Sequence, residues 1–565
     1  MKKISVILMA VALVLGMTQC KKKVESLTST QNGIKITLRI EDGSKHHVIT
    51  SGDPYPGDLG KVVFDDEDLI YVVNGGNIAG ALQYDAELGY FTGIIGVDVT
   101  EDDMPAVALD ENDYLHFIFM PNAQVDEDEY GNITIKISGQ KRNLPVISYG
   151  HTAEHYTSGQ TDFTCELQNQ CALAKFTFEN VSSEIGLAAN DEVCVSGFTT
   201  TAVLTMSETG ITITPDPTST GPISLYHPSD APANVRWGIL FAQDAISGKN
   251  MLIRNWLYTG NVNVDAVSNN ELKEITISCS GTPTKKYFFT VRQGKKSFFS
   301  PGNLQYKATG SDAGYRFAEH QWDYVGGVDS DNVQHGNVFV DTIQSNNNNI
   351  SSSYAGWIDL FGYGTGDDPT KVTADKDDFT TYNDWGEYVN FNDGYSWYAP
   401  NAAEWLCMMD YRPNDDAVEL GYQDDLRHNH CGPATVHGVE GMVFLCDYFE
   451  FPESYPSSNF TPQNLETDKW NKYDLNVFTD TQWAQMEANG AIFIPAAGCR
   501  EPILENDVVV NTYRRYGSWR WSYWAWNPYW RPYPANILGM YSQPGLTVDR
   551  AHWGASVRLM REFIY

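Results

Sequence analysis

Between Tyr513 and Tyr533 the chain carries ten aromatic residues and four arginines in twenty-one positions, where its overall aromatic content of 13% would give two or three rings. The rings are Tyr513, Tyr516, Trp519, Trp521, Tyr523, Trp524, Trp526, Tyr529, Trp530 and Tyr533. The arginines are Arg514, Arg515, Arg520 and Arg531. These side-chain types contribute most of the energy at protein contacts, because they are large, amphipathic and lose little entropy when they touch a partner. Arginine adds paired hydrogen bonds to carboxylates or phosphates, and stacking on rings. From Val510 to Arg561 there are seven arginines, no lysine and one acid, Asp549, in a chain of net charge −34. The plain alternative is a Trp-rich core. Rings adjacent in sequence, however, point to different sides of a helix or strand and cannot all face one core. The run is therefore expected to form a binding surface. Pro528, Pro532 and Pro534 would stiffen it and lower the ordering cost of binding.

Other chemistry is poorly provided for. No Gly-x-Ser-x-Gly, His-Glu-x-x-His or phosphate-loop pattern occurs. His320 and Asp323 could suggest acid–base work. The glycine-rich Phe361–Gly366 precedes no helical pattern, has no phosphate-binding lysine, and is expected to be a turn. Cys165, Cys171, Cys194, Cys279, Cys407, Cys431, Cys446 and Cys499 have irregular spacings without metal-ligand patterns. Some could pair in an exported protein, and spacing does not assign the bonds. Acid runs at Asp65–Asp68, Glu101–Asp103 and Asp126–Glu129 lack calcium-loop spacing and fit solvated loops better. Neither a metal nor a cofactor is expected, and no enzymatic activity.

The elements that must position the run begin with an export signal. Lys2 and Lys3 precede an apolar stretch from Ile4 to Met17, too short for a comfortable membrane span. Cys20 follows directly, which resembles a bacterial lipoprotein signal with Cys20 as the lipidated residue. Membrane association is then expected only through a lipid anchor. The acidic balance argues against nucleic acid, which needs basic surface for phosphates. A length of 565 residues with 47 glycines points to several domains of mainly β structure.

Strand-like runs lie at Lys35–Ile40, Leu69–Val73, Ala81–Tyr84, Tyr90–Ile95 and Tyr114–Met120, giving a β region over 33–150. A second region over 160–280 contains Ala172–Glu179, Glu192–Val195, Gly210–Thr214, Val235–Phe241 and Leu272–Ser278. Residues 281–286 read as a linker, and from Tyr287 the chain becomes Trp-, Tyr- and Gly-rich with long loops.

The motifs Leu69-Ile-Tyr-Val72, Ala81-Leu-Gln-Tyr84, Tyr90-Phe-Thr-Gly93, Asp113–Pro121 and Ala172–Phe178 resemble the fimbrillin-like proteins of Bacteroidetes, subunits of type V pili. The resemblance implies two β-sandwich domains over 33–150 and 160–280. It also implies a lipidated leader removed by proteolysis, and a partner pilus subunit joined by donor-strand insertion. By the same resemblance Arg39 is the candidate cleavage site, although an arginine on the outer face of an ordinary strand fits equally.

The third region is similar to C-type-lectin-fold domains of gut Bacteroides. Phe298–Tyr306, Tyr315–Val325, Gly356–Gly362, Glu404-Trp405 on a short helix, Gly490–Gly498 and Arg550–Leu559 carry this likeness. The ending resembles variable proteins of diversity-generating retroelements, in which errors at template adenines vary the side chains of a lectin-like face. That implies an α+β domain over 287–565 with a variable region near 513–555. Tyr516, Ser518, Tyr523, Asn527, Tyr529, Tyr533, Tyr541, Ser542 and His552 match the amino acids such errors yield. Trp519, Trp521, Trp524, Trp526 and Trp530 do not, and would be fixed anchors or come from another codon. Trp553, Arg514, Arg515, Arg520 and Arg531 complete the expected ligand-binding set. The calcium-lectin motifs are missing, since Glu501-Pro502 is followed by Ile503. Formylglycine-generating enzymes share this fold, but Cys407 and Cys446 lack their active-site context. The combined expectation is an adhesive pilus tip subunit at the cell surface, binding a protein or glycan. The alternative is a non-polymerising surface lipoprotein receptor.

Overall fold

The computed structural model describes residues 33–40, 64, 66, 68–97, 99, 106–121, 123–127, 133–140, 144–207, 210–228, 231–292, 295–325, 356–371, 382–391, 393–408, 431–462, 472–506, 508–515, 522–526, 535–540, 544–548 and 553–564. The fold is mainly β, in two compact units that divide between Lys286 and Tyr287.

The first unit is built on an eight-stranded sheet. Its middle consists of His116–Phe119, Leu69–Asn74, Asn77–Asp85 and Tyr90–Ile95, paired in that order. Leu69–Asn74 is apolar almost throughout because both sheet faces are buried. Ile70 and Val72 enter one core with Leu82, Phe91 and Phe117, while Tyr71 and Val73 enter another. Side chains alternate across a strand, so a strand between two cores has no polar face to show. Ile34–Ile40 sits between Tyr90–Ile95, antiparallel, and Asp162–Cys165, parallel.

Chain order does not sort the strands of this unit. Gln124–Glu127 and Ile133–Lys136, from the 33–150 region, join Thr201–Ser207 and Gly210–Pro215 in a separate sheet. Asp162–Cys165 and Gln168–Asn169, from beyond residue 160, return to the first sheet. One apolar core accordingly holds residues from Tyr71 to Cys279. Gln140 ties strands across it, accepting from Ile239 N at 2.6 Å and donating to Ile239 O at 2.8 Å. Of the expected linker, Thr284 and Lys285 are a strand paired with Leu257 and Trp256.

In the second unit most strands are shorter. Lys295–Phe299 pairs with Met560–Glu562 near the other end of the unit, which in turn pairs with Trp397–Tyr398. A four-stranded sheet contains Val477–Phe478, Cys431–Val436, Val439–Phe444 and Ile492–Pro495. The helix Ala402–Met408 opens on a reciprocal cap: Glu404 N donates to Asn401 Oδ1 at 2.9 Å and Asn401 N to Glu404 Oε2 at 3.0 Å. Lys295 Nζ donates to the other Glu404 oxygen at 2.7 Å. The helix Asp480–Ala488 carries a capping box between Thr479 and Gln482 and buries Trp483 and Met486.

Candidate functional site

Of the aromatic–arginine run, residues 513–515 and 522–526 belong to two antiparallel ribbons. Cys499–Glu505 pairs with Val508–Arg515, placing Arg500 opposite Arg514 and Glu501 opposite Tyr513. Ser522–Trp526 pairs with Ala535–Met540, which pairs with Pro544–Val548, so Trp524 stands opposite Ile537 and Trp526 opposite Ala535. Tight backbone ties hold the base. Arg500 and Gly554 exchange two bonds of 2.8 and 2.9 Å, Phe361 and Ala555 exchange two of 2.9 Å, and Tyr523 bridges to Ser556.

Two of the expected surface residues are instead buried. Tyr523 is 0% exposed and Trp553 is 5% exposed, each in an apolar cluster of the second unit. Tyr523 packs near Trp405 of the capped helix, with ring centroids 6.2 Å apart. Its hydroxyl donates to Pro495 O at 2.8 Å and accepts from Asn303 Nδ2 at 2.9 Å. Burial pushes its phenol pKa above the ordinary range. A strand lying on a core must point some residues inward, and here the aromatic at that place is Tyr523. It pins the ribbon from inside the unit.

Arg514, Arg515, Trp524 and Trp526 are placed here by strand register alone. Tyr516, Ser518, Trp519, Arg520, Trp521, Asn527, Tyr529, Trp530, Arg531, Tyr533, Tyr541, Ser542 and His552 lie outside the described residues, as does Cys20. Arg39 is exposed on Ile34–Ile40, 3.8 Å from the Asp162 carboxylate and stacked 5.2 Å over Tyr90.

Beneath the ribbons lies a polar core that sequence reading did not single out. Arg558 is buried, with Nη1 3.5 Å from Asn303 Oδ1 and Nη2 3.4 Å from Gln321 Oε1. Gln321 donates onward to Glu487 at 2.7 Å, so the charge of Arg558 reaches an acid through one amide. Arg500 is 0% exposed, and its three guanidinium nitrogens have no hydrogen-bond partner among the described residues. Burial pushes its pKa down to about 9. The only sequence signal for Arg500 is a single arginine directly after the apolar stretch Ala491–Cys499.

The rival chemical site is in the first unit, where the sequence held no pattern to find it. His116 Nε2 lies 3.1 Å from Asp113 Oδ1, and Nδ1 lies 2.9 Å from Tyr149 OH. Asp113 also accepts from Gly75 N and Tyr114 N, at 2.7 and 2.8 Å. The order acid–imidazole–hydroxyl could relay a proton. At 2% exposure, however, the ring offers nothing to a substrate, and it serves to join strands. His320 and Asp323 form a local turn, with His320 N donating to Asp323 Oδ2 at 3.0 Å. The His320 ring stacks on Trp322. Phe361–Gly366 closes on itself through Thr365 Oγ1 donating to Gly362 O at 3.0 Å. The eight cysteines from Cys165 to Cys499 are all buried. Among the described residues no group of His, Cys, Asp and Glu has metal-binding geometry.

No family model matches the chain, and neither does any curated protein. Solved structures give faint likenesses. A candidate cell adhesion protein from Bacteroides uniformis aligns over 45% of this chain and 98% of its own, at 15% identity and a TM-score of 0.27. One from Bacteroides ovatus aligns over 46% and 96%, at 11% identity and 0.27. The fimbrial anchor protein Mfa2 from Porphyromonas gingivalis aligns over 41% and 82%, at 7% identity and 0.23. Overlap at this level leaves the function to be reasoned from the residues themselves.

Proposed function

We propose that this chain is a surface adhesin, an adhesive pilus tip subunit whose second unit presents a diversified aromatic and arginine face to a protein or glycan. The observation that carries this reading is the division of labour around the run. Its inward member, Tyr523, is bonded into a buried polar core, while the ribbons are tied at their base by Arg500–Gly554 and Tyr523–Ser556. Such a base lets neighbouring side chains change without unfolding the unit, which a variable binding surface requires. The pairing of Lys295–Phe299 with Met560–Glu562 ties together segments near the two ends of the second unit. Aromatic anchors beside guanidinium groups suit acidic peptides and sugar faces. In this reading the protein is not an enzyme, and the first unit accepts a strand from a neighbouring pilus subunit.

The test is array binding by the secreted full chain and by a variant with Trp519, Trp521 and Trp530 changed to Ala, with sequencing of the 3′ end of the gene from a growing population. Binding that survives all three substitutions sinks the face. A clonal sequence over codons 513–555 under conditions that express the reverse transcriptase sinks the diversification.

The alternative, a non-polymerising surface lipoprotein receptor, draws on a separate observation. Ile34–Ile40 is hydrogen-bonded on both sides and buries Ile36 and Leu38, so the sheet is complete when that strand is kept. Cleavage at Arg39 would require the strand to leave first. Sequencing the mature N-terminus decides: a start near residue 40 supports the processed pilin, and a start at Cys20 the receptor.

A further inference from the structure

We propose that His116 and Tyr149 form an acid-released latch that holds the strand Gly210–Pro215 onto the eight-stranded sheet of the first unit. Gly210–Pro215 pairs with Thr201–Ser207 and is the outermost strand of its own four-stranded sheet. Its first residue lies against both side chains of the latch. A Cβ added at Gly210 would be 3.3 Å from His116 Cε1 and 3.3 Å from the Tyr149 hydroxyl. The main-chain N–H of Ile211 donates to that hydroxyl. His116 stands on His116–Phe119 and Tyr149 on Ser148–His151, which are paired neighbours in the larger sheet. The two side chains therefore fasten one sheet to another.

The direction of each bond follows from what each group can do. The Asp113 carboxylate can only accept, and it already accepts from Gly75 N and Tyr114 N. His116 Nε2, 3.1 Å from it, must then carry the ring hydrogen, which leaves Nδ1 as an acceptor. Tyr149 accordingly donates to Nδ1 across 2.9 Å, while its oxygen accepts from Ile211. A phenolic O–H lies near the ring plane and has two positions, one here facing the imidazole and the other the Ile211 amide. A second proton on the imidazole makes Nδ1 a donor. The phenolic hydrogen must then turn toward Ile211 N–H, and two donors meet where a bond had been. Charging the ring thus undoes the fastening of the strand.

The groups around the latch set its sense. Burial lowers the imidazole pKa from 6.5, the bond and charge of Asp113 oppose that, and His151, with its ring 5.9 Å away, adds to the lowering. Tyr114 packs edge-on at 6.3 Å, and Cys165 acts on Tyr149. Gly210–Pro215 itself brings no titratable side chain. When the strand lifts, the ring regains its ordinary value, so opening takes up a proton. The latch is fully closed above pH 6.5 and is lost progressively as the pH falls toward the lowered value.

The experiment is hydrogen exchange of the full chain at about pH 7.5 and about pH 5, corrected for intrinsic exchange rates, on peptides covering 201–215 and, as a reference, 90–95. Protection of Gly210–Pro215 is expected to fall by up to about tenfold per pH unit, the limit for one proton, while Tyr90–Ile95 keeps its protection. In His116→Gln, whose amide can donate to Asp113 and accept from Tyr149 without titrating, the response is expected to vanish. Constant protection of Gly210–Pro215 in the unchanged protein overturns the latch and needs no variant to fold. A fall shared equally by Tyr90–Ile95, or one that persists in His116→Gln, overturns it as well. None of these readouts involves the adhesin's ligand, so failure here leaves the functional reading standing.

Discussion

Among the described residues Arg236 of the first unit and Arg500 of the second are both fully buried, and the two are treated in opposite ways. In the first unit Arg236 Nη1 donates to Ala233 O at 2.6 Å and Val235 O at 2.9 Å, and Nη2 to Ala188 O at 2.8 Å. Burial lowers its pKa to about 10, with the Asp191 charge opposing that shift. Arg500 in the second unit has equal burial and no such bonds among the described residues. The first arginine is a structural fastener, saturating carbonyls that a turn leaves over. The difference lies in what the neighbouring backbone offers.

The largest expected effect tests how the second unit is pinned. Tyr523→Ala should cost about 4 kcal/mol by emptying a core position, seen as a lower urea midpoint for the second unit. Were Tyr523 a ligand-facing ring, the midpoint would hardly move and only binding would fall. Next comes the arginine pair itself. Arg236→Met should cost about 3 kcal/mol, because carbonyls lose their donors. Arg500→Met should be neutral or stabilising, since an apolar group replaces a buried charge. Equal losses from both substitutions would erase the contrast. Tyr523→Phe should cost about 2 kcal/mol, because Pro495 O loses its donor and Asn303 Nδ2 its acceptor while the packing is kept.

The smallest effect concerns pH in the first unit. Burial lowers the pKa of His116 below its ordinary value of 6.5, while the bond and charge of Asp113 oppose that shift. The unfolded chain therefore takes up a proton that the folded chain refuses. Stability from this group is complete above pH 6.5 and declines as the pH falls toward the lowered value. The decline should stay under about 1.4 kcal/mol per pH unit. His116→Gln should flatten the profile between neutral and acid pH, and an unchanged slope would assign the dependence to other groups.

Legibility followed the range of the interactions. Tyr90–Ile95, Ala172–Glu179 and Leu272–Ser278 form strands with the bounds read from their residues, because β-branched and aromatic runs between turn residues are local signals. The reciprocal cap of Asn401 and Glu404 is likewise written in four consecutive residues. Which strands pair was not legible. The return of Asp162–Asn169 to the first sheet, and the departure of Gln124–Lys136 from it, depend on partners dozens of residues away. At the candidate site the sequence displayed a run of rings and guanidinium groups but could not say which ring turns inward. Tyr523 and its neighbours are alike in composition, and only the position of Ser522–Trp526 against Ser556 and the helix Ala402–Met408 selects it. Asn303, Gln321 and Arg558 lie within three of the quoted motifs, but that they meet was not legible for the same reason.

The sequence by itself determined the acidic balance, the predominance of β structure and the concentration of aromatic and arginine residues near the end of the chain. Each is a property of composition or of short-range pattern. The tertiary structure decided that Tyr523 is an anchor, that both terminal nitrogens of Arg236 are bonded while those of Arg500 have no partner among the described residues, and that one core serves both halves of the first unit. Those outcomes turn on burial, which is set by whichever distant segment covers a residue and on which the residue's own neighbours in sequence are silent.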